Sequence, residues 1–158
     1  MSGILLASLT ASLHYLALAL GAGGVFVRGR LLARIAPGPV ERDAARSILL
    51  ADAFWALAAL LWLSTGLARL FGGWEKGAEW YLHHPLFWLK TALFGAVLLL
   101  ELEPMVTLMG WRLALRHGGT PSVEAAALRR VVWLNRLEVM LVPVIVVVAG
   151  AMARGIGY

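Results

Sequence analysis

The sequence predicts an all-α, polytopic membrane protein: a four-transmembrane-helix bundle with both termini outside. Three observations carry this reading. Hydrophobic residues make up 61% of the 158-residue chain and charged residues only 15%, against roughly 25% charged in a soluble domain. The apolar residues fall into four runs, each long enough to cross a bilayer. Lys and Arg concentrate in alternate connections between those runs. The length is that of one domain.

The first span is read over residues 4–27, which hold no charge and one histidine, His14. It is not a signal peptide, because its basic residues Arg28, Arg30 and Arg34 follow the apolar run instead of preceding it. Gly21, Gly23 and Gly24 suit close backbone approach between membrane helices. Pro37-Gly38-Pro39 breaks the chain, and Glu41 and Asp43 complement the start of a second helix. The second span covers residues 47–70. Residues 71–84, with Trp74, Trp80, Tyr81, His83 and His84, read as an interfacial aromatic loop. The third span covers 85–109 and can continue to Arg116, with Gly118 as a stop and His117 at the C-cap. Thr120-Pro121-Ser122 followed by Glu124 marks the next helix start, and the fourth span covers 131–153.

Arg28, Arg30, Arg34, Arg42 and Arg46 lie in the first connection, and Arg112, Arg116, Arg129 and Arg130 in the third. Only Arg69, Lys76 and Arg154 lie on the opposite side. That asymmetry places the first and third connections in the cytoplasm and Met1 and Tyr158 outside a bacterial inner membrane. The net charge of +5 is therefore a topology signal, not a nucleic-acid footprint. The absence of cysteine removes disulfides, iron–sulfur clusters, thiolate zinc sites and covalent haem. No phosphate loop, nucleophile constellation or metalloprotease motif is present. The expected partners are the lipid bilayer and further copies of the chain, with no nucleic acid.

Ionisable side chains at mid-bilayer cost about 3 kcal/mol each, so those inside the spans need a reason. They form two layers. Asp52, Glu101, Arg136 and Glu138 share an inner depth, with Glu103 and Asn135 beside them. Two readings stand: an ion-pair layer at the inner interface, and an acid site that exchanges protons or binds a cation. The outer layer is His14 with Lys90. A neutral imidazole in an apolar span is a natural iron ligand. It can also bond to a backbone carbonyl or to a hydroxyl such as Ser64 or Thr65, and Lys90 can snorkel to the outer surface. Met105, Met109 and Met140 are read as packing, not copper ligands.

Several stretches carry a family resemblance: Ser12-Leu13-His14-Tyr15-Leu16-Ala17, Asp52-Ala53-Phe54-Trp55 leading to Thr65-Gly66, Glu75-Lys76-Gly77, Tyr81 through Lys90, and Glu101 through Trp111. With these, nearly the whole chain resembles a bacterial family of four-helix membrane proteins known as domain of unknown function 2214, which implies the fold and no activity. More distantly it is similar to the haem-containing membrane protoporphyrinogen oxidases and the copper-resistance protein D group. In that similarity, His14 and Lys90 match a first-helix histidine and a third-helix lysine associated with haem. The run Leu98 to Pro104 replaces a histidine-bearing stretch of the oxidases.

The functional expectation is haem b binding with a redox or electron-transfer role. His14 is the axial ligand of the iron, Lys90 is a second ligand or contact, and Ala58, Ala59, Gly66, Gly95 and Ala149 line the slot. The alternatives are an ion-, proton- or metal-handling protein using the inner layer, and a structural or accessory subunit.

Overall fold

The computed structural model describes residues 2–74 and 76–157. Met1 and Tyr158, for which an outward position is expected, and Glu75 of the Glu75-Lys76-Gly77 stretch lie outside the described residues. The elements run α1 (Ser2–Leu32), β1 (Gly38–Pro39), α2 (Arg42–Phe71), α3 (Gly77–His83), α4 (Pro85–Leu100), α5 (Leu102–Arg116), β2 (Ser122–Val123) and α6 (Ala125–Ala153). Four helical spans are long and apolar enough to cross a membrane: Gly3–Leu32, Arg42–Phe71, Pro85–Arg116 and Ala125–Ala153.

The helix ends follow local chemistry. Pro85 opens α4, where its missing N–H costs nothing, and the His84 ring accepts a hydrogen bond from the Leu86 N–H at 3.2 Å. Gly118 adopts φ +73° after α5 and ends the span. The aromatic segment read as a loop contains a two-turn helix, α3, which buries Tyr81. The third span is interrupted at Glu101, three residues before Pro104, whose lack of an N–H leaves the Leu100 carbonyl without its helical partner.

The long helices exceed the bilayer. With 31, 30 and 29 residues, α1, α2 and α6 are each about 45 Å long, whereas the hydrocarbon core is about 30 Å thick. The excess projects at one end, which is basic. Exposed residues mark the change: Arg129, Trp133 and Arg136 give way to Met140, Val144 and Val147 along α6, and Val27 gives way to Arg30 and Arg34 along α1.

Two cores result. At the basic end Leu32, Ile48, Leu108, Trp111, Val123 and Val131 pack as in a soluble protein. There the β1–β2 bridge pairs Gly38 with Val123 and Pro39 with Ser122, tying the two basic connections together. In the membrane half Val25, Trp55, Val97, Val142 and Ile145 form the second core, with Trp62 and Phe94 packed on it.

The tightest helix contact is between α1 and α2. A Cβ on Gly24 would lie 2.9 Å from the Trp55 backbone nitrogen, and one on Gly21 would lie 2.9 Å from the Ala58 Cβ. Gly23, on the exposed face, meets nothing within 4 Å. Two of the three glycines thus permit the close approach and the third does not take part. Gly24→Ala is expected to destabilise the bundle by about 1–3 kcal/mol through overpacking, whereas Gly23→Ala leaves stability unchanged or slightly raised. Thermal unfolding of the two variants in detergent checks this.

Candidate functional site

Between the two cores lies one polar layer, organised around Arg28. Its side chain is completely buried. Its Nε donates to Asn135 Oδ1 at 2.8 Å, its NH1 to Asp52 Oδ1 and Glu101 Oε1 at 2.7 Å each, and its NH2 to Glu101 Oε2 at 2.8 Å and Glu138 Oε2 at 2.5 Å. A guanidinium has five N–H groups, and all five are used. The acceptors come from α2, the α4–α5 break and α6, so a single residue of α1 binds all three other spans.

Other groups complete the layer. Arg112 NH2 donates to Asp52 Oδ2 at 2.6 Å, and Trp55 Nε1 donates to Glu101 Oε2 at 2.9 Å. The amide nitrogen of Asn135 donates to the Val25 carbonyl at 3.1 Å. Gly29 is required beside it, because a Cβ there would sit 2.4 Å from that nitrogen. Three carboxylates therefore face two guanidinium groups. Oε1 of Glu138 is buried and has no hydrogen-bond partner among the described residues. Glu101 and Glu138 both accept from Arg28 NH2, and both are acceptor-only when ionised.

This corrects the sequence reading of the inner layer. Asp52, Glu101 and Glu138 do converge, but Arg136 is not their counterion. It is exposed and makes no ion pair among the described residues. Asn135 and Glu138 are three residues apart and share the buried face of α6, so Arg136 is turned away from them. Glu103 also leaves the layer and pairs with Arg130 at 2.7 Å on the surface. Arg28 was missed because it follows an apolar run and reads as a loop arginine. Its helical phase with Gly21, Gly24 and Val25 and with Leu32 was the available signal, since these positions share the buried side of α1.

The outer layer is differently built. His14 Nδ1 lies 2.8 Å from Thr65 Oγ1, and Thr65 in turn donates to the Leu61 carbonyl at 2.5 Å. The Thr65 hydroxyl also lies 3.3 Å from the Trp62 carbonyl. Lys90 lies with its ammonium 5.4 Å from the centre of the Phe87 ring. The structure thus gives His14 and Lys90 different partners. His84 is fully buried at the start of α4, and His83 Nδ1 lies 2.8 Å from the Glu79 carbonyl. Met105, Met109 and Met140 are exposed on the helix surfaces and are not packed inside.

The Thr65 contact holds the His14 ring by one nitrogen, as a partner of an iron-ligating imidazole commonly does. The His14 ring lies 5.8 Å from that of Trp62 at a tilt of 32°, and Trp62 meets Phe94 edge-on at 5.7 Å; both are partly buried against the second core. Ala58, expected to line a slot, is instead buried against Gly21. Among the described residues no group of three or more His, Asp or Glu could hold a metal ion.

The model of the family described as "Predicted membrane protein (DUF2214)" matches residues 6–157. The chain belongs to that family. No curated protein and no solved structure matches it significantly. Membership shows a membrane protein of unknown function, consistent with the resemblance read from the residues.

Removing one partner of a buried ion pair strands the others, at a cost of about 3–5 kcal/mol. Arg28→Met is therefore expected to unfold or severely destabilise the bundle, while Arg136→Ala changes its stability little. Melting of both variants in one detergent separates these outcomes.

Proposed function

We propose that the protein handles protons within the membrane, with the Arg28 layer as the site that takes up and releases them. One observation carries the reading: three carboxylates face two guanidinium groups, and a fully buried oxygen of one of them, Glu138 Oε1, is unpartnered. Balance calls for one further positive charge. A metal ion would need several oxygen ligands around it, and Arg28 fills the centre where they converge. A proton needs no cavity. On Glu138 it removes the excess negative charge and the repulsion between the carboxylates that share Arg28.

Access comes from the basic end. The Glu101 and Arg112 side chains keep 18% and 36% exposure, against none for Glu138. A proton entering from water there meets Arg112, Asp52 and Glu101 before Glu138. By the distribution of Lys and Arg the basic end faces the cytoplasm of a bacterial inner membrane.

A second reading keeps His14 as an axial ligand of haem b in a redox role. The contact of its imidazole with Thr65 favours that reading, which requires Trp62 and Phe94 to move aside. An absorption spectrum after haem-supplemented expression decides it: a Soret band lost in His14→Ala would establish it, and colourless folded protein would remove it.

For the proton reading, the protein is reconstituted into vesicles carrying an internal pH dye, and a pH gradient is imposed. Wild type is expected to relax the gradient faster than empty vesicles, and Glu138→Gln to abolish that excess while retaining a cooperative melt. Equal flux in wild type and Glu138→Gln would reduce the layer to a structural clamp.

A further inference from the structure

Helix α5 uses its charges within the chain and exposes its apolar residues. Glu103 pairs with Arg130 of α6 at 2.7 Å, and Arg112 pairs with Asp52 of α2 at 2.6 Å. Pro104, Leu108 and Trp111 form its buried side. The exposed positions from Leu102 to Leu113 carry no charge: they are Leu102, Met105, Val106, Met109, Gly110 and Leu113. At about 100° per residue these fall on one face, with Glu103 at one edge and Arg112 at the other.

Lipid does not account for the whole of this face. The Trp111 indole N–H donates to the Ser122 carbonyl of β2 at 3.2 Å, and its ring packs in the core of the basic end with Leu32, Val40 and Val123. Met109 and Leu113, two residues to either side of Trp111, therefore lie at the level of the basic connections. In the same half α2 exposes Arg42, Asp43 and Arg46, and α6 exposes Arg129 and Arg130. An uncharged exposed stripe beside such surfaces marks a protein contact.

The spacing of the stripe is that of a seam between two helices. Leu102, Val106, Met109 and Leu113 follow one another by four, three and four residues, the repeat of a coiled coil. Leu99, 70% exposed, extends it by three residues into the membrane half, since Glu101 keeps near-helical torsions at the break (φ −71°, ψ −17°). Val106 beside Leu102 is the alternation of β-branched residue and leucine that favours two strands. Gly110 leaves room next to Met109, since a Cβ there would meet nothing within 4 Å. We propose that α5, with the end of α4, is the interface of a homodimer whose two-fold axis runs along the membrane normal. Copies inserted in the same sense pair about such an axis, so each seam residue meets its own counterpart at the same depth, inside the lipid and beyond it. The six large side chains from Leu99 to Leu113 on this face are 41–70% exposed and offer on the order of 600 Å² per copy, most of the roughly 800 Å² that one partner contributes to a stable interface. With Glu103 and Arg112 already paired within each chain, the seam closes without burying an unpaired charge.

The chain has no cysteine, so a single introduced thiol reports proximity directly. Val106→Cys, on the seam, and Arg129→Cys, exposed on α6 in the same half, are made in the full chain and oxidised with copper phenanthroline in the membranes of the expressing cells. Val106→Cys is expected to give a disulfide-linked species of twice the chain's mass, and Arg129→Cys to stay monomeric. Adding Met109→Glu and Leu113→Glu to Val106→Cys should abolish the cross-link while the purified chain keeps its cooperative melt. Should that chain fail to fold, the comparison of Val106→Cys with Arg129→Cys decides alone. A Val106→Cys chain that stays monomeric would leave the face to lipid, and an adduct of any other mass would give it to a different protein. Either result would overturn the proposal, as would equal cross-linking of Arg129→Cys or a cross-link that survives the two glutamates in a folded chain.

Discussion

The guanidinium of Arg28 constrains everything around it. A cation withdrawn from water near the membrane is tolerable only if its hydrogen bonds are all met, and here they are met by three helices other than its own. That requirement fixes the rotation of α1, since Arg28 must point inward. It also fixes the register of α6, since Asn135 and Glu138 must meet it from one face. It fixes the depth of Asp52 and Glu101 as well. Gly29 and Gly24 are consequences of the same constraint, because α1 reaches its neighbours closely enough only where it carries no side chain.

The layer lies where two solvents meet. Outward from it the helix surfaces are apolar and the interior is filled by Trp55, Trp62 and Phe94. Toward the basic end the surfaces are charged and the interior closes around Leu108 and Trp111. Helices about 45 Å long in a hydrocarbon core about 30 Å thick must project somewhere, and the β1–β2 bridge with its own core gives the projecting turns tertiary support. A buried ionic layer at this boundary separates the two packing regimes and supplies the directional contacts that lipid-like side chains do not.

Much of this was legible in the residues. Four apolar runs and alternating basic connections gave the spans, and the coincident depths of Asp52, Glu101 and Glu138 gave the acid layer. The counterion was not legible from composition. Arg28 and Arg136 both border apolar runs, and only helical phase distinguishes them: Arg28 falls in line with the glycines of α1, whereas Arg136 sits one residue off the Asn135–Glu138 face. Glu103 was drawn into the layer by proximity in sequence, yet two residues past Glu101 on a helix is nearly the opposite side. The short α3 was obscured by Gly, Trp and His residues that suit an interfacial loop equally well. His14 was correctly paired with a hydroxyl as one of its alternatives, but no sequence pattern could show that Trp62 and Phe94 would fill the space beside it.

The same geometry that holds the bundle leaves one carboxylate oxygen unanswered. Among the described residues Glu138 Oε1 is the layer's buried oxygen without a hydrogen-bond partner, and a proton on that carboxyl would complete the charge balance. Infrared difference spectroscopy of the purified protein reads this directly through the C=O stretch of a protonated carboxyl. The account predicts such a band near neutral pH, removed by Glu138→Gln and untouched by Glu103→Gln. A spectrum with no protonated carboxyl, or a band that survives Glu138→Gln, would contradict it.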